Sequence, residues 1–280
     1  MDQVYTMRYT RNLKNYYNLL YYLASGRRPW TRGYNEYKTA AIGKVIRNRK
    51  FHQLISKRNY GYRIDERIVE YPWFFEKLTE KAGKLLDAGS ILNYEYILDL
   101  PELSNKNIHI LTLSPESNCY WQKGVSYVFD DIRSCPYIDD YFDNIVSIST
   151  IEHIGLDNTL LYSNKSEHKE NSSDTFLDAI REFKRVLKKN GKLYITVPFG
   201  KRKNHGWFQI FNSNMIDMII HEFNPNSFQE ECFMYDKFGW RKSNREEAKN
   251  ATYFDIHKSK NYDNDFAAAS RAVICLELAK

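Results

Sequence analysis

Apolar and polar positions along this chain follow two periods in turn. From residue 84 onward, short apolar runs recur between turn residues: "KLLDAG" (84–89), "NIHILTL" (107–113), "VSYVFDD" (125–131), "NIVSIST" (144–150) and "KLYITVPF" (192–199). Runs of this length, rich in β-branched and aromatic residues and closed by Gly, Pro, Asn or Asp, predict strands. Between them the period lengthens to that of a helix. "SSDTFLDAIREFKRVLKKNG" (172–191) sets Phe176, Ile180, Phe183 and Leu187 on one face. Ser and Asp stand near its start, Lys188 and Lys189 in its last turn, and Asn190-Gly191 at its stop. "ILNYEYILDL" and "NSNMIDMIIHEF" also read as helical, "SFQEECFMYDKFGW" as one strand, and "RAVICLELAK" (271–280) as a final strand.

Upstream, the first 60 residues read as two amphipathic helices around the break "SGRRPWTRGYNEY", where Gly26, Pro29 and Gly33 interrupt the pattern. "DERIVEYPWFFEKLTEKAG" (65–83) predicts a helix with Pro72 as a kink. The alternation of strands and helices predicts an α/β fold, a mostly parallel sheet with helices on both faces. A helical N-terminal cap over residues 1–64 would precede a main domain over 65–280. Ligands on such sheets lie beyond the carboxyl ends of the strands, where strand order reverses. The strand ends therefore carry the candidate chemistry. The longest polar stretch, "SNKSEHKENSSD" (163–174), reads as a mobile loop and a candidate lid.

Composition narrows the classes. At 42% apolar and 27% charged residues the chain can bury a core. No apolar run reaches bilayer length, and the N-terminus shows no clean hydrophobic region, so no signal peptide and a cytoplasmic location are expected. Cys119, Cys135, Cys232 and Cys275 form no CxxC pair, which predicts free thiols and no zinc site or disulfide. No carboxylate/His cluster has tight metal spacing, so no metal is assigned.

Charge adds an asymmetry. Net charge is +6, yet residues 1–60 hold 13 Lys/Arg against 2 Asp/Glu, leaving the rest mildly acidic. This arm contains "GRRPW", "KVIRNRK" and "SKRNYGYR", and nine of the 22 Tyr, Tyr5 and Tyr9 among them. Interleaved cations and rings suit RNA. They suit sugar rings and a polyprenyl diphosphate at a membrane surface equally well. A solvated helical cap that also dimerises is the third reading, and the residues leave all three open.

"KLLDAGSILN" places Asp87 at the end of a strand and Gly89 in a turn that opens a helix, a cradle for a nucleotide-like group. Only Gly89 is present where a dinucleotide site needs G-x-G-x-x-G, which disfavours NAD and FAD. S-adenosylmethionine has no phosphate and asks less of this turn. Asp87 could serve its amino group indirectly, and Gly89 gives close approach.

"YVFDDIRSCPYIDDYFDNIVSISTIEHIG" extends the pattern. Asp131-Ile132-Arg133, Cys135-Pro136-Tyr137, Phe142-Asp143 and Glu152-His153, followed by a helix and "VLKKNGKLYITVPFG", resemble the class I S-adenosylmethionine-dependent methyltransferases in order and spacing. The resemblance covers roughly 84–200. It implies a Rossmann-like fold with a seven-stranded, mostly parallel sheet whose last strand, "AVICLELAK", is antiparallel. "GYRIDERIVEYPW", "LLDAGSILN" and "HGWFQIF" further resemble a subgroup found with glycan-assembly enzymes. The chain departs from the family at two places. Its D-x-G-x-G-x-G becomes Asp87-Ala88-Gly89-Ser90-Ile91-Leu92-Asn93, and Ile does not tolerate positive φ, so the loop must take another path. The acid that ends strand two is missing, with Ser114 or Glu116 as substitutes.

The resemblance implies that Asp87, Ala88, Gly89, Ser90, Asn93, Ser114, Asp131, Ile132, Ser149, Thr150 and Ile151 surround S-adenosylmethionine, with Asp131 accepting from the adenine amino group. Methyl transfer to an alcohol needs a base near neutral pH, for which histidine is suited. His153, oriented by Glu152, is the first candidate and His205 the second. The expected reaction is methylation of a hydroxyl (or amino) group, most readily of a sugar or glycan precursor. An RNA methyltransferase gripping its substrate with the basic arm is the first rival. A non-catalytic pseudo-methyltransferase scaffold is the second.

Overall fold

The computed structural model describes residues 14–162 and 168–280. Tyr5, Tyr9 and the 163–167 part of the insertion lie outside them. The chain divides into two compact units. One runs through Glu76 and adds Tyr235–Lys242 and Tyr253–Arg271; the other holds Lys77–Met234, Ser243–Thr252 and Ala272–Lys280. The expected division falls at residue 64, whereas the first of these units runs through Glu76 and includes two late segments.

In the first unit, residues 14–24 are helical, followed by α1 (Tyr34–Asn48) and α2 (Arg67–Lys77). The break between the first two helices is shorter than the sequence suggests. Gly33 ends it at φ +87, where a Cβ would fall 2.0 Å from the Asn18 carbonyl oxygen. Trp240 ties the unit together. Its amide donates to Tyr60 O at 2.7 Å and its indole Nε1 to Ile64 O at 2.9 Å.

The second unit carries β1 (Gly83–Ala88), β2 (Lys106–Thr112), β3 (Ser126–Phe129), β4 (Phe142–Ile148), α3 (Phe176–Val186), β5 (Leu187–Pro198), α4 (Ser213–Phe223), β6 (Ser227–Asp236) and β8 (Ala272–Ala279). With β7 (Gly239–Ser243), the sheet has eight strands in the order β3-β2-β1-β4-β5-β8-β6-β7. The first five are parallel, and β8 runs antiparallel to both β5 and β6. The seven strands expected become eight because the stretch 227–240 turns at Lys237-Phe238 and returns as a hairpin. A separate short hairpin pairs Lys203–Asn204 with Gln209–Ile210.

Strand order reverses between β1 and β4, so the chain leaves both strands on the same edge and a crevice opens there. α3 buries Phe176, Ala179, Ile180, Phe183 and Val186, the helical stripe read from the sequence. It stops at Val186, five residues before the predicted end. Leu187 pairs instead with Phe142, and the Asn190 amide donates to Lys280 O, so edge pairing overrides helix propensity. "ILNYEYILDL" keeps only one helical turn, Glu95–Leu98, before Pro101 opens a 3-10 turn. α4 follows expectation: Asn212 caps it by accepting from the Met215 amide at 3.1 Å, and Asn224 closes it at φ 45. No helix among the described residues is long and apolar enough to cross a membrane.

Candidate active site

The site begins with Asp87, the fully buried end of β1. Its carboxylate accepts from the Ile91 amide at 3.1 Å and from the Leu92 amide at 2.7 Å. Asp87 thus holds the turn that follows it and spends both oxygens doing so. Left-handed conformations fall at Gly89 (φ 120) and Ser90 (φ 63), so Ile91 escapes the strained region the family pattern would have imposed on it. Ile91 is buried instead, and the loop takes the different path its sequence required.

Burial pushes the Asp87 carboxyl up to about 7, against the opposing pull of the two amides. An unfolded Asp titrates near 4, so the folded state holds a proton more tightly. The resulting stability is complete below about pH 4 and is lost as pH rises through about 7, a decline of about 4 kcal/mol. Glu66, buried beside Asp65 and Glu70, is pushed up to about 8 and adds a slope of the same sign. Asp87→Asn should remove the Asp87 share, read as the difference between the two proteins in urea unfolding at pH 5 and pH 8. Equal slopes in the two would show that Asp87 is ionised throughout.

Beyond β1 and β4 lies a cleft lined by Gly89, Leu113, Asp131, Ile132, Thr150 and His153, with Arg133, Asn158, Tyr162 and Glu170 around them. Its volume is about 60 Å³, a narrow cleft beside the roughly 300–1,000 Å³ of most ligand pockets. At its edge Arg133 makes two forked pairs. Its Nε and Nη2 bond the Asp131 carboxylate at 2.6–3.0 Å, and its Nη1 and Nη2 bond Glu170 at 2.7 and 2.6 Å. Burial works to raise the Asp131 carboxyl, but these bonds override it and hold it below the usual range.

His153 sits on the short 3-10 turn Ile151–His153 after β4. Its Nδ1 lies 2.8 Å from the Trp207 carbonyl oxygen, and its ring stacks on the Trp207 indole at 5.2 Å. A carbonyl only accepts, so Nδ1 must carry hydrogen; in the neutral ring Nε2 then holds the lone pair. Asn158 stiffens the segment by donating to His153 O at 2.9 Å and Leu156 O at 3.1 Å.

Several expected residues fall elsewhere. Glu152 is buried, and the Trp207 carbonyl oxygen lies 2.8 Å from His153 Nδ1. His205 lies in the short hairpin, stacked on Phe208 at 4.4 Å, and does not line the cleft. Ala88 and Ile151 are fully buried in the core. The Ser149 amide is spent on Thr196 O at 2.9 Å. Asn93 donates to Asn118 O at 2.9 Å and accepts from the Tyr127 hydroxyl at 2.8 Å, so it braces loops rather than facing the cleft. Ser114 lies 3.4 Å from His168 and is not in the lining, nor is Ser90. Asp131 does line the cleft, but with its oxygens engaged by Arg133 it is not an open acceptor for adenine. Among the described residues, no group of three His, Cys, Asp or Glu could hold a metal ion, and the four cysteines are free thiols.

Residues 95–195 match the family model described as a methyltransferase domain. Over these residues the chain is similar to the methyltransferase domain family. Solved structures similar to it include a Burkholderia thailandensis 1,6-didemethyltoxoflavin-N1-methyltransferase, at 11% identity over 98% of this chain and 90% of that one, TM-score 0.44. A Haemonchus contortus phosphoethanolamine N-methyltransferase 2, in complex with S-adenosyl-L-methionine, is 14% identical over 79% of this chain and 56% of that one, TM-score 0.45. A Methanosarcina mazei S-adenosylmethionine-dependent methyltransferase is 9% identical over 74% and 96%, TM-score 0.42. No curated protein matches the chain.

The cleft combines bare backbone with apolar and polar side chains. Gly89 brings bare backbone to it, and Leu113, Ile132 and Ile154 form an apolar face. Thr150, Asn158 and Tyr162 add hydrogen-bonding groups. Where β2 ends, the lining is Thr112 and Leu113, so no acid stands there. The cleft's carboxylates are instead Asp131 and Glu170. Arg133 belongs to the Asp131-Ile132-Arg133 motif, and its forked pairing with Glu170 appears only in the fold.

Proposed function

We propose that the domain methylates a hydroxyl (or amino) group on a small polar acceptor, a sugar or glycan precursor. Its support is His153, an imidazole in the cleft wall whose Nδ1 lies 2.8 Å from the Trp207 carbonyl oxygen. When bound, S-adenosylmethionine supplies an electrophilic methyl group. Gly89, Ile132 and Thr150 would hold it. The chain's own task is alignment, worth several kcal/mol when reacting atoms are pre-positioned, and removal of one proton. As the new O–CH₃ bond formed and the donor's S–CH₃ bond broke to leave a neutral thioether, the acceptor proton would pass to His153 Nε2, and the Trp207 carbonyl would stabilise the resulting imidazolium through Nδ1–H.

Full-length protein incubated with labelled S-adenosylmethionine should transfer label to a panel of free and nucleotide-linked sugars. Label appearing in RNA and in no sugar would replace this acceptor class with the RNA reading. Donor binding without transfer to either would favour the scaffold.

A further inference from the structure

The N-terminal unit contains a cavity of about 850 Å³, inside the range of small-molecule sites. Arg27, Lys44, Arg58 and Lys237 stand around it, together with Tyr37 and Phe238, and its lining contains no Asp or Glu. Two of these cations share one ring. The Arg58 guanidinium lies 4.3 Å from the Phe238 centroid and the Lys237 ammonium 5.2 Å from the same centroid. The Arg27 guanidinium lies 5.6 Å from the Tyr37 ring. Among the described residues none of the four cations is ion-paired with a carboxylate; the neighbouring Asp236 pairs with Arg241. Gathering like charges on one ring without an acid is unfavourable in the empty state, and an anion relieves it.

The wall is preformed. Asn59 (φ 66) and Gly61 (φ 58) adopt left-handed conformations, and a Cβ on Gly61 would fall 2.6 Å from Ile68 Cγ2 and 2.8 Å from Trp240 Cδ1. The Tyr60 hydroxyl donates to Ile68 O at 2.6 Å. Such a loop is rigid before any ligand arrives, which lowers the ordering cost of binding.

We propose that this cavity binds the diphosphate group of a small ester. Arg58 and Lys237 would take the phosphate oxygens, with Arg27 and Lys44 completing the charge. Forked guanidinium contacts favour phosphate over a simple halide. A nucleic-acid strand fits less well. It needs a succession of open rings on a continuous cationic track, whereas only Phe238 among the lining rings is exposed, and two cations already attend it.

The test uses the full chain and isothermal titration with uridine diphosphate, geranyl diphosphate and a ten-nucleotide single-stranded RNA. We expect at least one diphosphate to bind at sub-millimolar concentration, and the tighter of the two identifies a nucleoside or a lipid source. Arg58→Gln with Lys237→Gln should weaken that binding about tenfold or more, while Arg58→Lys with Lys237→Arg retains most of it. Circular dichroism on each variant confirms folding, and titration with S-adenosylmethionine should be unchanged, which keeps this claim separate from the cleft. No diphosphate binding at millimolar concentration overturns the proposal. So does binding indifferent to both pairs of substitutions, and so does RNA binding tighter than either diphosphate at physiological salt.

Discussion

Gly89→Ala is expected to abolish binding of the methyl donor and to cost the fold several kcal/mol. Two effects add. At φ 120 a residue with a Cβ is in a region that only glycine occupies freely, a penalty of roughly 1–3 kcal/mol. The new Cβ would also fall 2.1 Å from Thr150 Oγ1 and 2.5 Å from Thr150 Cγ2. Forcing an atom into such a packed contact costs roughly 1–3 kcal/mol more. Together these take a large share of the roughly 5–15 kcal/mol that holds a typical domain folded. Relief can come only by moving β1 away from β4, which moves both sides of the cleft at once. Adding Thr150→Ala removes Oγ1 and Cγ2 but leaves Cβ of residue 150 at 2.8 Å, so the double variant should recover only part of the loss. Urea unfolding, and isothermal titration carried out below the thermal transition, measure the two effects. Full recovery of stability in the double variant would mean that backbone conformation at Gly89 costs nothing and that side-chain contact alone decides.

The parts of this site that were legible in the sequence are those set by local chain direction. Gly89, Asp131, Ile132, Thr150 and His153 each follow the end of a parallel strand, and strand ends can be found from apolar runs bounded by turn residues. Asp87 was legible for the same reason, and its carboxylate holds the turn after β1 through the Ile91 and Leu92 amides. What escaped depends on long-range geometry. The Arg133–Glu170 pair spans 37 residues, and the His153–Trp207 contact spans 54 and ends on a carbonyl, which every residue possesses. No pattern of side-chain types can announce a backbone acceptor. Asp131 failed as an open acceptor through its own neighbour: Arg133, two residues on, was in plain view, but the turn that folds its guanidinium back was not. The helix 172–191 ran long for a related reason. Lys188, Lys189 and Asn190 are helix-compatible as a local string, and only the partners Phe142 and Lys280 turn them into strand.

His153→Ala is expected to lower kcat roughly 10²–10⁴-fold on an alcohol acceptor, the range for loss of a positioned general base. The Kd for S-adenosylmethionine should stay near that of wild type, because the role assigned to the imidazole is toward the acceptor proton and not toward the donor. A merely structural histidine would behave differently: its loss would loosen the turn after β4, shift Thr150, and weaken donor binding together with turnover. Trp207→Ala separates the two readings further. It keeps the carbonyl that fixes the tautomer and removes the indole that stacks on the ring at 5.2 Å. If Nδ1–H to the carbonyl is what makes Nε2 basic and aimed, this variant should lose far less than His153→Ala, with the ring less confined but still in the correct protonation state. Single-turnover rates with a saturating donor isolate the chemical step from release. Turnover by His153→Ala within about threefold of wild type would leave proton removal to another group, and the cleft would then act through alignment alone.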